Sequence, residues 1–275
     1  MDWPNIIQFA IREENLDFIS GLAFAGVDPQ YAGRYFKHYV SLVELEELDL
    51  DISDIYEHIG SLMATPAPDT FTKRYWLPRG VSSECYLDIK EDRADISHGT
   101  TGLRTWQASL ALVEYCASAG IRGQNVLELG SGAGFLGLAL QKMANCVTLT
   151  DFSDRVLQRL FENAQLNNLP VAIQKLDWET PGQESPADLI IGADIVYDPE
   201  VVPLLVNALT CLAGPRTRCI IAHTMRRQET LDLFLEYLSK EFEIVQIAAR
   251  QKFYFYSETS PVLIYSFLKH DSKPP

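Results

Sequence analysis

Between residues 128 and 197, acids, an aromatic pair and a glycine run are spaced so that they could hold a nucleotide-like ligand and act beside it. The densest segment is Val126-Leu127-Glu128-Leu129-Gly130-Ser131-Gly132-Ala133-Gly134-Phe135-Leu136-Gly137. An apolar strand runs into alternating glycines and then into a helix, so a ligand can approach backbone without meeting a Cβ and face the helix amides. That pattern suits a nucleotide-type site at the carboxyl end of a first strand. The plainer alternative is a tight strand-to-helix turn that holds nothing. Asp151 closes Thr148-Leu149-Thr150-Asp151, where a carboxylate could accept hydrogen bonds from both hydroxyls of a ribose; otherwise it caps the helix beginning near Ser153. Leu176-Asp177-Trp178 offers an acceptor for an adenine amino group and an aromatic wall for its ring. In Gly192-Ala193-Asp194-Ile195-Val196-Tyr197-Asp198-Pro199, Asp194 and Tyr197 leave a strand end where transfer chemistry takes place in open α/β sheets, unless they are only a helix cap and a packing tyrosine. His98 and His223 have no metal-ligand company, so no metal is expected.

Two ligand classes compete for the glycine loop. Gly132, Gly134 and Gly137 match G-x-G-x-x-G, with Asp151 near the distance expected of a ribose acid, which suits a nicotinamide-dependent oxidoreductase. Glu128-x-Gly130-x-Gly132-x-Gly134 equally matches the first motif of class I methyltransferases, whose ligand is S-adenosylmethionine, and this reading also accounts for the acid at the end of the strand.

The elements that must position these residues follow from the pattern of apolar segments. From residue 125 onward, strands expected over 125–129, 146–150, 171–176, 188–192 and 219–223 alternate with helices over 135–144, 154–167, 200–212 and 228–241. Such alternation implies βαβ units and a parallel sheet. The last two strands, 243–248 and 262–267, have no helix between them and should form an antiparallel hairpin at the sheet edge. The expected architecture is therefore α/β: a Rossmann-like, seven-stranded mixed sheet with a C-terminal antiparallel hairpin. Short strands are expected before it, over 71–77, 84–89 and 94–97. Residues 1–65 read as a helical N-terminal extension, separated by Thr65-Pro66-Ala67-Pro68-Asp69 from a domain spanning 66–275. The acidic run 44–54 is either a solvated helix face or a surface for a basic partner.

With 23 Lys and Arg against 37 Asp and Glu, the chain carries a net charge of −14, which repels a phosphate backbone and favours a cationic partner over nucleic acid. Cys85, Cys116, Cys146, Cys211 and Cys219 lack C-x-x-C spacing and are odd in number, which fits reduced thiols in the cytosol or nucleus, and a cytoplasmic location is expected. The acidic start lacks a basic, apolar leader and no long apolar run occurs, so neither export nor a membrane span is expected.

With Gly99-Thr100-Thr101-Gly102-Leu103-x-Thr105-Trp106, then VLELGSGAGFLGLAL, LDW and ADIVYDPE, residues 71–268 resemble the seven-β-strand lysine methyltransferases, most closely their elongation factor 2 lysine methyltransferase branch. The resemblance implies that Trp106, Gly130, Ser131, Gly132, Asp151, Trp178 and Ala193 contact S-adenosylmethionine. It places Asp194 and Tyr197 in a D-x-x-Y motif near the acceptor lysine, with elongation factor 2 as protein substrate, no membrane or nucleic-acid partner, and a monomeric enzyme. A methyltransferase-like binding module without activity is a further alternative, disfavoured by the intact Asp151, Asp194 and Tyr197.

Overall fold

The computed structural model of the chain describes residue 40 and residues 69–77, 86–94, 100–183, 185–247 and 261–270. The helical extension expected over 1–65 lies outside the described residues apart from Val40, which is helical and buried; so do the acidic run 44–54 and most of the strand expected over 94–97.

A hairpin of β1 (Thr70–Trp76) and β2 (Tyr86–Asp92) comes first, followed by α1 (Gln107–Ala119). The chain then alternates through β3 (Asn125–Leu129), α2 (Phe135–Gln141), β4 (Cys146–Asp151), α3 (Asp154–Leu166), β5 (Ala172–Lys175) and β6 (Leu189–Ala193). It ends with α4 (Val202–Leu212), β7 (Arg218–Thr224), α5 (Gln228–Leu238), β8 (Phe242–Ile247) and β9 (Val262–Lys269). β3 to β9 form one seven-stranded sheet in the order β5-β4-β3-β6-β7-β9-β8, in which β9 alone runs antiparallel to its neighbours. The central strands are near-continuous apolar runs, Leu-Ile-Ile-Gly-Ala in β6 and Cys-Ile-Ile-Ala-His after Arg218 in β7, because helices cover both of their faces. α1, α2 and α3 build one core layer with Leu112, Leu138 and Leu160, and α4 and α5 build the other with Leu205, Leu209 and Phe234.

The final strands pair antiparallel at the sheet edge as expected, and the structure adds their order. β9 inserts between β7 and β8, leaving β8 outermost. Burial explains the choice: Val262, Ile264, Tyr265 and Phe267 of β9 are all buried, whereas Glu243, Val245 and Gln246 of β8 face solvent. Helix α1, absent from the expected elements, packs against α2 and across β7 and β9. Among the described residues no helix is long and apolar enough to cross a membrane.

The β1–β2 hairpin stands apart from the large sheet and is held by α3. Asn163 Oδ1 accepts from the Lys90 amide at 2.9 Å while its Nδ2 donates to the Lys90 carbonyl at 3.1 Å. One turn on, Asn167 does the same for the Asp88 amide and carbonyl, at 2.9 and 2.7 Å. A buried ion pair, Arg159 to Asp92 at 2.9 Å, closes the contact, and the Tyr75 hydroxyl donates to Glu91 at 2.6 Å.

Candidate functional site

β3 and β6 are adjacent, yet β3 leads to β4 on one side and β6 to β7 on the other, so the connections diverge and open a crevice at the strands' carboxyl ends. There lies a cavity of about 380 Å³. Glu128, Gly130, Ser131, Gly132 and Gly134 reach it from the end of β3, and Asp151 from the end of β4. Asp177 and Trp178 reach it from beyond β5, Ala193, Asp194 and Tyr197 from the end of β6, and Trp106 from the start of α1. Every residue named for the S-adenosylmethionine reading thus lines the same cavity, whereas Gly137 does not.

The glycine loop is stapled to β4 rather than left loose. The Ser131 amide donates to the Thr150 carbonyl at 2.8 Å, the Thr150 amide donates to Ser131 Oγ at 3.1 Å, and Thr150 Oγ1 donates to the Glu128 carbonyl at 2.6 Å. Gly132 has φ +55, and a Cβ there would lie 3.0 Å from the Gly102 carbonyl oxygen, so glycine is required both by conformation and by the loop crossing above it. That loop, residues 100–106, roofs the cavity and is braced by the Trp106 indole N–H donating to the Thr101 carbonyl at 3.0 Å.

Asp151 serves the loop and its own turn. Oδ2 accepts from the Gly132 amide at 3.3 Å and Oδ1 from the Ser153 amide at 3.1 Å, which orients the carboxylate without exhausting its acceptor sites. Burial pushes its pKa up against these donors. Asp177 makes a similar local turn, Oδ1 accepting from the Glu179 amide at 2.9 Å.

Asp194 is more heavily committed than its place in the sequence suggests. Oδ1 accepts from the Thr224 amide at 2.7 Å; Oδ2 accepts from the Thr224 hydroxyl at 2.8 Å and from the Ala108 amide at 3.1 Å. Its backbone sits at φ +56, in the left-handed region that Asp tolerates better than most residues. Asp194 therefore ties the ends of β6 and β7 to the first turn of α1, whose own N-cap residue, Trp106, provides no side-chain cap. Tyr197 is half exposed at the mouth; burial raises its pKa first and the charges of Asp198 and Asp151 next, against a pull from the Thr101 hydroxyl.

Glu128 is fully buried below the glycine loop, and its Oε2 has no hydrogen-bond partner among the described residues. Burial pushes its carboxyl from an ordinary 4.5 up to about 8, against the pull of the Ser131 hydroxyl. A folded-state pKa above the unfolded one contributes stability that is complete below 4.5 and is lost as pH rises through about 8. The ligand-free protein should accordingly lose thermal stability across that window relative to Glu128→Gln, which cannot ionise. Melting curves that stay parallel for the two proteins throughout would show that Glu128 titrates normally.

Several cavity residues receive no role from the sequence: Thr101 and Ser109, Phe152 at 62% exposure just after Asp151, Ile195, and Val201 and Leu204 at the start of α4. Phe152 and Ile195 could have been found by position alone, since each follows a strand-end acid.

Comparison with known proteins bears on this arrangement. A family model described as "Lysine methyltransferase" matches residues 82–241. The human protein-lysine N-methyltransferase EEF2KMT is 35% identical over 224 residues, covering 72% of this chain and 66% of that protein. Protein-lysine N-methyltransferase EFM3 of Chaetomium thermophilum is 31% identical over 275 residues, covering 86% of this chain and 82% of that one. EEF1A lysine methyltransferase 3 of Xenopus tropicalis is 31% identical over 208 residues, covering 72% and 88%. Matches to the mammalian EEF2KMT proteins span about two thirds of their length, 62–66%. The matched segment runs from β2 through α5 and so contains the whole crevice, and on these grounds the chain belongs to the lysine methyltransferase family.

Proposed function

We propose that the protein transfers a methyl group from S-adenosylmethionine to a lysine side chain of elongation factor 2. The observation that carries this reading is the convergence, in a chain of the lysine methyltransferase family, of the glycine loop, Asp151 and Trp178 with Asp194 and Tyr197 on one cavity. The substrate rests on the names of the relatives.

The residues present suit the donor. Asp151 retains acceptor capacity for ribose hydroxyls, Asp177 and Trp178 stand ready for an adenine, and Gly130 and Gly132 line the cavity with backbone. The donor supplies an electrophilic methyl on a sulfonium. What the protein must do is present a neutral amine in line with it. Against an unperturbed lysine pKa of about 10.4, deprotonation at pH 7 costs roughly 4 to 5 kcal/mol. Desolvation in the cavity and nearby positive charge reduce that cost. Tyr197, at the mouth, accepts or donates a hydrogen bond to the entering amine, while Asp194 holds β6, β7 and α1 in register around it. Alignment supplies much of the rate, since reacting groups held at near-attack geometry gain roughly 7 to 11 kcal/mol over free encounter.

A nicotinamide-dependent oxidoreductase is less well supported, because it leaves Trp106, Trp178 and the Asp194–Tyr197 pair on the cavity without a role. One relative is named for elongation factor 1A, which makes that factor the alternative substrate. The test incubates the protein with methyl-labelled S-adenosylmethionine and each purified factor in turn, with Asp151→Ala as the variant impaired in donor binding. Label in elongation factor 2 that falls at least tenfold in Asp151→Ala is expected, as loss of a charged acceptor costs about 1.5 to 3 kcal/mol. Label confined to elongation factor 1A reassigns the substrate. Absence of label from both factors and from a cytoplasmic extract, where such a substrate would be met, refutes the activity.

A further inference from the structure

Beside an otherwise acidic cavity, in a chain whose net charge is −14, two exposed arginines stand next to the Trp106 wall. β7 ends at Thr224, the residue that holds Asp194, and two residues later Arg226 turns back over the roof. Its guanidinium carbon lies 4.6 Å from the centroid of the Trp106 ring, and Trp106 is itself part of the cavity wall. Arg227 follows, and both arginines are exposed. Among the described residues neither forms an ion pair, whereas the exposed Lys175 and Lys240 are each matched to a carboxylate, Asp154 and Glu236.

A guanidinium held over an aromatic ring loses side-chain freedom and keeps N–H donors for other partners. A fork held in this way is prepared for bidentate binding of a carboxylate, because less side-chain freedom remains to be lost. On the lysine methyltransferase reading, the wall beside Trp106 and Asp194 is where the acceptor side chain enters. We propose that Arg226 determines substrate specificity by receiving a carboxylate of the protein substrate that lies next to the acceptor lysine. The same charge repels lysines set among basic neighbours, so it selects against wrong substrates as well as for the right one. Arg227, one residue on, adds to the local field without a stacked geometry.

The test compares wild type with Arg226→Glu, Arg226→Met and Arg226→Lys on intact elongation factor 2, with S-adenosylmethionine binding measured by titration calorimetry. Methionine keeps an unbranched stem over Trp106 without the charge. It should raise the KM for the factor about tenfold, and glutamate should raise it further, with kcat and donor affinity within about twofold of wild type. Lysine, which keeps the charge without the fork, should fall between wild type and methionine, and the spread among variants should shrink as salt is added. A KM within twofold of wild type for Arg226→Glu at low ionic strength overturns the proposal. So does a loss of donor affinity equal to the rise in KM, which would assign Arg226 to packing on Trp106 alone. The two levels remain separable: methylation by wild type with indifferent variants removes the role of Arg226 only, whereas a wild-type protein that labels no protein removes the methyltransferase reading and this inference with it.

Discussion

Asp194→Ala should abolish most methyl transfer, with a fall of about a hundredfold or more in single-turnover rate at saturating donor and substrate. The removed carboxylate takes three hydrogen bonds, from the Thr224 amide and hydroxyl and from the Ala108 amide. Without it, the first turn of α1 loses the carboxylate that the Ala108 amide donates to, and Trp106, the residue immediately before that turn, is free to shift in the cavity wall. A displacement of about 1 Å at a reacting centre is enough for a rate loss of that size. Stability should fall as well, since alanine at φ +56 is disfavoured by about 1 to 2 kcal/mol before any hydrogen bond is counted. Asp194→Asn separates the contributions. Asparagine tolerates the left-handed backbone and can still accept from Thr224, but its NH₂ cannot accept from Ala108. It should melt near wild type while losing much of the activity and some donor affinity. If Asp194→Ala folds and turns over at the wild-type single-turnover rate, Asp194 neither positions nor touches the reacting groups.

The second large effect is on the fold itself. Gly137 lies in α2 with its Cα against the sheet, where an added Cβ would collide with Leu149 Cδ2 and Glu128 Oε2 and would come within 3.4 Å of Val147 Cγ1. Overpacking in a core costs about 1 to 3 kcal/mol, and displacement of a buried carboxyl puts Gly137→Ala at the upper end. The melting temperature should drop by roughly 6 to 12 °C. Gly182→Ala is the contrasting control: Gly182 has a positive φ, +85, which the helical Gly137 does not, but it has open space around it. It should lose only the cost of the strained backbone. A melting temperature for Gly137→Ala at or above that of wild type would mean that the α2 contact relaxes freely.

Where sequence reasoning succeeded, the physical signal was local. β3 and β6 are short apolar runs that could only be strands buried on both faces, and the glycine loop after β3 marks the crevice because few other backbones can make that turn. Where it failed, the signal was remote. α1, Gln-Ala-Ser-Leu-Ala-Leu-Val-Glu-Tyr-Cys-Ala-Ser-Ala, is apolar on most sides and so shows no stripe, and its cap comes from Asp194, 86 residues further along the chain than the Ala108 amide it receives. The placement of Asp194 in the crevice was legible from its position at the end of a strand. That its oxygens are taken by Thr224 and Ala108 was not, because all three meet only when α1 crosses β7. The position of β9 between β7 and β8 was likewise a matter of which strand buries more, a comparison that hydrophobic periodicity alone does not make.

The asparagine pair on α3 has a consequence for how the molecule opens. Asn163 and Asn167 present to β2 the donor and acceptor that a neighbouring strand would present, so this edge is closed to pairing with another chain without any further strand being added. The amides of Asp88 and Lys90 can therefore exchange with deuterated solvent only when α3 lets go of the hairpin. Because α3 begins at Asp154, three residues after Asp151, those two amides form a built-in reporter: their exchange times the loosening of the helix that starts at the cavity, even though the hairpin itself lies outside the main sheet.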